Sequence, residues 1–471
     1  MKRTLLLNDI NVTERRLNFS FIIDEMKFNT SYWYDTVDFK NLQQRFGNAA
    51  IERIIFHIAA FEINKLASLR PEIIDFGAWS KYVDDEFATL WTIIFKNVWA
   101  QWRYENNITD YITPEIRRPD FNAELGYIKE HGQGDPGLIW FCGGGKDSLV
   151  SMQILSETDT DFDSLSYSSS IYGTAARQHS FSEELLAFGC AETHHRQWIF
   201  DDFLDSPILE LASPEAISTL TAAETPSSVF ASIPIVLASG HRHIALGHER
   251  SADTGQVFWE ATGEDINHQW GKSYDAESLI NTYIQRNLVA NFEYFSILKP
   301  LYDTMVFYVL SKYPEIIPHA HSCNVQKPWC RRCPKCCYVW LGYNAFLDHE
   351  TVVETFGDEN LFDVPENLNI FRQLAGFESQ LPFECIGQEN ESRMFFELAT
   401  HRGCSGLAIK MYETERPKLD VPRLVEKYTT IYWDDSSIPK WLQDRMQKIL
   451  NPLSNQLKVL LEDTLTSRES K

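Results

Sequence analysis

The residues LIWFCGGGKDS at 138–148 combine types that can hold an anion. Apolar and aromatic residues run straight into Gly143, Gly144 and Gly145, and Lys146, Asp147 and Ser148 follow. An apolar run that stops at glycine reads as a buried strand feeding a tight loop, and LVSMQIL can start a helix at once. Strand, glycine loop and helix together offer free backbone N–H groups and a positive helix end to a phosphate. Glycines remove the β-carbons that would keep a phosphate away. Lys146 can add a point charge, and Ser148 can cap the helix and donate its hydroxyl. The Walker spacing G-x-x-x-x-G-K-[ST] and the dinucleotide pattern G-x-G-x-x-G are both absent. An ordinary glycine turn is the bland alternative, but it leaves the coincidence of strand, glycines, Lys, Asp and Ser unexplained.

A second cluster is SCNVQKPWCRRCPKCC at 322–337. Cys323, Cys330, Cys333 and Cys336 stand at C-x6-C-x2-C-x2-C spacing. Four thiolates on short loops suit a tetrahedral Zn2+, and four protein ligands close the coordination sphere, which makes such a site structural. C-x2-C-x2-C also serves iron–sulfur clusters. Nothing else in the chain calls for electron transfer, so zinc is favoured. Cys337 adjoins the set and is expected to point away, into a helix. Simply buried or disulfide-bonded cysteines are the alternative.

Polar residues crowd HIALGHERSADTG and INHQWGKSYDAES within 243–278: His248, Glu249, Arg250, Ser251, Asn267, His268, Gln269, Lys272 and Ser273. The segment follows a strand candidate, which places it at the ligand-binding edge of a sheet. A surface Glu249–Arg250 pair is the plainer reading, since polar loops are common. LPFECIGQENESR at 381–393 adds Glu384 and Cys385.

The elements that must position these residues follow from periodicity. Strands are expected at 138–142, 164–170, 195–200 and 243–248, and helices at 148–156, 181–188, 226–239 and 275–286. This alternation predicts a parallel α/β sheet, with ligands beyond the carboxyl ends of its strands. LNFSFIIDEMKFNTSYWYD has the density of a hairpin. Ile51, Ile54, Ile55, Ile58 and Phe61 recur at helical spacing, and 87–104 is an aromatic helix whose tryptophans read as core. A linker at 129–137 separates an expected N-terminal α+β domain, 1–130, from a domain spanning 131–400. A helical C-terminal segment, 401–471, is expected to carry a helix at 440–450 that Pro452 breaks.

The chain has 471 residues, 44% of them apolar, and 43 basic residues face 66 acidic ones for a net charge of −23. Such a charge repels nucleic acid in bulk and favours a small-molecule substrate. There is no run of apolar residues long enough for a membrane span. MKRTLLLNDINVTERR lacks the long apolar region of a signal peptide. Nine cysteines then point to a reducing, cytoplasmic setting.

The glycine loop resembles the S-G-G-x-D-S signature of PP-loop ATP pyrophosphatases, with Cys142 in the first Ser place. The resemblance implies a Rossmann-like fold of the adenine nucleotide alpha hydrolase type. It also implies substrate adenylation that releases pyrophosphate. The four cysteines near the end of such a domain resemble the structural zinc site of 7-cyano-7-deazaguanine synthases. The ordered series Gly143–Ser148, Glu249–Ala252, Asn267–Ser273, Ser322–Cys336, Phe356–Asp363 and Pro382–Gly387 is similar to the MurL family, over roughly residues 20–400. The chain departs from that pattern at SSVFASIP, 227–234, and at Gly247–His248.

MurL enzymes adenylate the terminal L-glutamate of UDP-N-acetylmuramoyl-L-alanyl-L-glutamate and invert its α-carbon. The resemblance therefore implies ATP, Mg2+ and Zn2+ as cofactors. Gly143, Gly144, Gly145, Lys146 and Ser148 would bind the pyrophosphate end, and Asp147 would help hold Mg2+. His248, His268 and Cys385 are the candidate proton carriers. Glu249, Ser251, Asn267, Gln269, Lys272 and Ser273 are candidate substrate contacts. Two rivals stay open: amide or nitrile formation on a small carboxylate, and a regulatory module that only binds nucleotide.

Overall fold

The computed structural model describes residues 2–118, 125–132, 137–203 and 224–469. Apolar and polar residues alternate along the N-terminal strands, so each buries one face. β1 (Thr4–Val12), β2 (Arg16–Ile23) and β3 (Met26–Tyr34) form the antiparallel meander expected of LNFSFIIDEMKFNTSYWYD. β4 (Ile73–Asp75) and β5 (Glu115–Ile116) extend it in parallel beyond β1.

The next strands have a different composition. β6 (Leu138–Phe141) is buried at every residue. A strand with no exposed face needs cover on both sides, as parallel sheets provide. β6 pairs in parallel with β7 (Phe162–Ser169), and β7 with β8 (His194–Asp201). On its other edge β6 meets β9 (His243–Leu246). A short hairpin, β10 (Val257–Trp259) and β11 (Glu264–Ile266), stands apart, and β12 (Glu293–Ser296) completes the parallel set beside β9. The parallel order is thus β12-β9-β6-β7-β8.

The chain leaves β6 toward β7 on one side and returns at β9 on the other. The carboxyl ends of β6 and β9 therefore flank a topological switch point, where such sheets bind ligands. Helices Lys146–Glu157, Glu224–Ser239 and Tyr274–Asn287 lie where periodicity placed them, and the helix expected at 181–188 runs instead over Ala175–Leu186.

β3 also pairs antiparallel with β8, with Trp33 opposite Trp198 and their rings 4.4 Å apart. Ten strands thereby share one sheet. One apolar core joins Phe61, Trp91 and Trp102 to Phe230, Ile244 and Tyr294, so the aromatic helix at 85–98 faces inward. A second core lies among helices Asp303–Leu310, Pro334–Phe346 and Glu389–His401 and the C-terminal helices.

The expected break at Pro452 does not occur. One helix runs Lys440–Glu469 with Pro452 inside it. Its buried stripe, Leu442, Met446, Leu450, Leu457, Leu461 and Leu465, continues past the proline into the same core. Burial along that stripe outweighs the lost hydrogen bond, which costs about 3 kcal/mol. No helix among the described residues is long and apolar enough to cross a membrane.

Candidate active site

The glycine loop leaves β6 at the switch point. Gly144 has φ +76°, a conformation glycine adopts without strain. Gly145 is packed so closely that a β-carbon there would sit 3.0 Å from Ser322 Oγ. Sequence reading assigned the helix cap to Ser148, but the helix starts at Lys146 with Gly145 at the cap position. Ser148 Oγ instead accepts a hydrogen bond from Gly143 N at 3.0 Å, which folds the loop onto the first helical turn. Lys146 N donates to Ser322 Oγ at 3.0 Å, and the next N–H groups of the first turn have no intrahelical acceptor.

Lys146 is buried rather than projecting. Its Nζ lies 2.5 Å from both Asp147 Oδ1 and Asp303 Oδ1, above the Phe307 ring. Burial, against the pull of Lys146 but helped by Glu249 and Asp147, pushes Asp303 up to about 7. Burial would also raise Asp147, yet Lys146, Lys335 and Lys272 outweigh it and keep this carboxylate ionised. Asp147 retains some exposure, with 28% of its side chain open.

Three cations thus act on one carboxylate, and two of them also reach Cys385, one at its thiol and one at its carbonyl. Lys272 Nζ stands 2.8 Å from Cys385 Sγ, and Lys335 Nζ donates to the Cys385 carbonyl. His268, Glu384 and Cys385 bring a ligand atom each within 4.8 Å of one another. Burial alone would raise the Cys385 thiol. Lys272, the His268 hydrogen bond and Lys335 reverse that and bring it down to about 7. His268 keeps an open edge to solvent. Its imidazole is raised because Cys385 and Glu384 outweigh desolvation. His248 differs: burial and the charges of Lys272 and Lys299 hold it well below its usual range, hence neutral. Its Nδ1 lies 3.3 Å from Ser296 Oγ.

The remaining polar candidates hold the loops in place. Ser251 Oγ donates to Glu391 Oε2 at 2.8 Å, Asn267 Nδ2 to the Ala252 carbonyl at 2.9 Å, and Gln269 Nε2 to the Ile386 carbonyl at 3.1 Å. Ser273 caps helix Tyr274–Asn287. Glu249 is buried without pairing to its neighbour, and Arg250 bridges instead to Asp435 at 2.6 Å. Beside Ile386 and Gln388 a cavity of about 310 Å3 opens, lined also by Ser251 and Gln256.

Cys323, Cys330, Cys333 and Cys336 gather their sulfurs within 4.8 Å of one another. Cys323 and Cys333 are 3.9 Å apart, and Cys330 and Cys336 3.7 Å. Disulfides need sulfurs about 2.05 Å apart. A tetrahedron of metal–sulfur bonds of about 2.3 Å has edges of about 3.8 Å. The geometry therefore fits a four-thiolate metal site. Cys337 is buried outside the set.

Sequence reading missed several residues that shape the site. Lys335 lies between two of the cysteines and was read only as spacing. Asp303 and Gln101 carry no local motif, and Ser322 was read only as the first residue of the cysteine stretch. Glu391 closes the capping box of helix Glu389–His401 with Gln388. It also joins Ser251 to Thr304, whose N–H it accepts at 2.8 Å.

Two family models match the chain: the MurL N-terminal domain over residues 223–297 and the MurL C-terminal domain over 319–410. These two stretches are similar to the two domains of the MurL family. The MurL N-terminal match covers β9 and the His248–Ser273 loops. The MurL C-terminal match covers the cysteine set and Cys385. Three curated relatives are named UDP-N-acetyl-alpha-D-muramoyl-L-alanyl-L-glutamate epimerase. That of Micromonospora sp. is 28% identical over 65% of this chain and 66% of its own length. That of Salinispora tropica is 26% identical over 64% and 63%. That of Xanthomonas oryzae pv. oryzae is 31% identical over 53% and 54%. The similarity thus spans less than two thirds of each relative's length.

Proposed function

We propose that this protein is an ATP-dependent epimerase. In this reading it adenylates the terminal L-glutamate carboxylate of UDP-N-acetylmuramoyl-L-alanyl-L-glutamate, a peptidoglycan precursor, and inverts the adjacent carbon. One observation carries the reading: the glycine loop and the Cys385–His268–Lys272 cluster meet across Asp147 at the switch point. The activity in the relatives' names supports it.

An α-proton beside a carboxylate is very weakly acidic, because its removal creates a dianion. Adenylation cancels the carboxylate charge and makes the α-carbon acidic enough for an ordinary base. Gly143–Ser148 would cradle the pyrophosphate end with backbone N–H groups. Lys146, clamped by Asp303, would set the field there rather than touch the anion. Asp147 is an ionised, partly open carboxylate and suits Mg2+, which commonly takes one or two carboxylates plus phosphate oxygens. When bound, Mg2+ neutralises the phosphate charge. The four cysteines suit Zn2+ in a structural role. Cys385 is brought down to about 7 by Lys272 and the His268 hydrogen bond, and Cys385 and Glu384 raise His268, so both suit proton transfer at an α-carbon. His248, held neutral, contributes a hydrogen-bonding wall instead. ATP and a nucleotide-linked precursor occur together in the cytoplasm, where this activity belongs.

The test is incubation with ATP, Mg2+ and UDP-N-acetylmuramoyl-L-alanyl-L-glutamate in D2O. Pyrophosphate release with deuterium at the glutamate α-carbon is expected, and Asp147→Ala should abolish both. Pyrophosphate without deuterium would reject epimerisation, and neither product with the native chain would reject the substrate.

A further inference from the structure

His268 is held from two sides. Its Nδ1 lies 2.5 Å from Gln101 Oε1. The Gln101 amide is itself oriented, because its Nε2 donates to Glu105 Oε1 at 3.0 Å. With Oε1 as acceptor, the His268 proton sits on Nδ1, and Nε2 is left to serve the thiol. Thiol, imidazole and an amide that orients the imidazole form the arrangement that activates nucleophilic cysteines. Lys272 at 2.8 Å then stabilises a thiolate.

We propose that Cys385 is a nucleophile that takes the acyl group from the adenylated substrate as a thioester, with Gln101 positioning His268. This inference rests on the adenylation reading above. The thiolate attacks the acyl carbon: a carbon–sulfur bond forms, the carbon–oxygen bond to phosphorus breaks, and AMP leaves with that oxygen. A thioester α-proton is more acidic than that of a carboxylate, so His268, once it has passed the thiol proton to solvent through its open edge, can accept the α-proton. Water then attacks the thioester, a carbon–oxygen bond forms, the carbon–sulfur bond breaks, and the thiolate is restored. Gln101 lies on helix Ala100–Glu105, so the segment before the glycine loop supplies a positioning residue to the site.

The test is rapid-quench single turnover of the full chain with ATP, Mg2+ and UDP-N-acetylmuramoyl-L-alanyl-L-glutamate, comparing wild type with Cys385→Ala. Wild type should show an acid-stable mass increase at Cys385 equal to the substrate less one water. Cys385→Ala should give one equivalent of pyrophosphate, retain the acyl-adenylate and slow AMP release by about 10²-fold or more. Gln101→Ala should move the pH profile of Cys385 alkylation upward while leaving the metal content unchanged. If Cys385→Ala releases AMP at the wild-type rate and only α-deuterium is lost, the thiol carries a proton alone and the thioester is overturned. If wild type releases no pyrophosphate, the adenylation reading itself fails, and the thioester with it.

Discussion

Cys385 shows how little a residue type says by itself. In PFECIG it is a cysteine beside a carboxylate, and a carboxylate alone would raise its pKa. Its chemistry comes from Lys272 at 2.8 Å, from His268 and from Lys335, which together overcome burial. Lys272→Met should return the thiol toward the ordinary value of about 8.5. The sign follows from the thiolate being the reactive form. Wild-type alkylation by iodoacetamide should rise through about pH 7, and the variant's only at higher pH. An unmoved alkylation profile would remove Lys272 from the account. His268 and His248 had equal standing in the sequence. Only the first has an anionic neighbour, and two lysines hold the second neutral.

At the scale of elements, strand and helix positions were legible because burial leaves a period in the sequence. LIWF is apolar without interruption and HIAL is apolar after His243, and both are buried at every residue, as doubly covered strands must be. The C-terminal helix was legible up to 450 but not its continuation, because Pro452 is a strong local signal that distant packing overrides. Pro452→Ala should restore a backbone donor without disturbing the buried stripe. Stability should rise by about 1–3 kcal/mol in a denaturant titration. A loss of stability instead would mean that the proline sets a bend the core needs.

For the whole molecule, the cysteine set joins two halves of the site. On one side of it, His321 N donates to the Gly144 carbonyl at 2.7 Å and Lys146 N to Ser322 Oγ at 3.0 Å. On the other, Lys335 reaches the Cys385 carbonyl, and Asn324 Nδ2 donates to Glu384 Oε1 at 3.0 Å. A metal ion there would hold the glycine loop and the thiol segment in register. One equivalent of zinc per chain is expected by elemental analysis. Its removal by a chelator should lower the melting temperature and expose 321–336 to protease. Full retention of both after zinc is stripped would show that packing alone holds the register.

Taken alone, the sequence determined the local units: the strand, glycine loop and helix at 138–157, the cysteine spacing, and the periodic elements between them. These are written in neighbouring residues, so no distant contact is needed to read them. Tertiary structure alone decided which of those units meet. It joined β3 to β8, set Asp303 against Lys146, and brought Lys272 and His268 to Cys385 from more than a hundred positions away. Such pairings depend on strand order and on the direction each side chain leaves its element, and a linear pattern records neither.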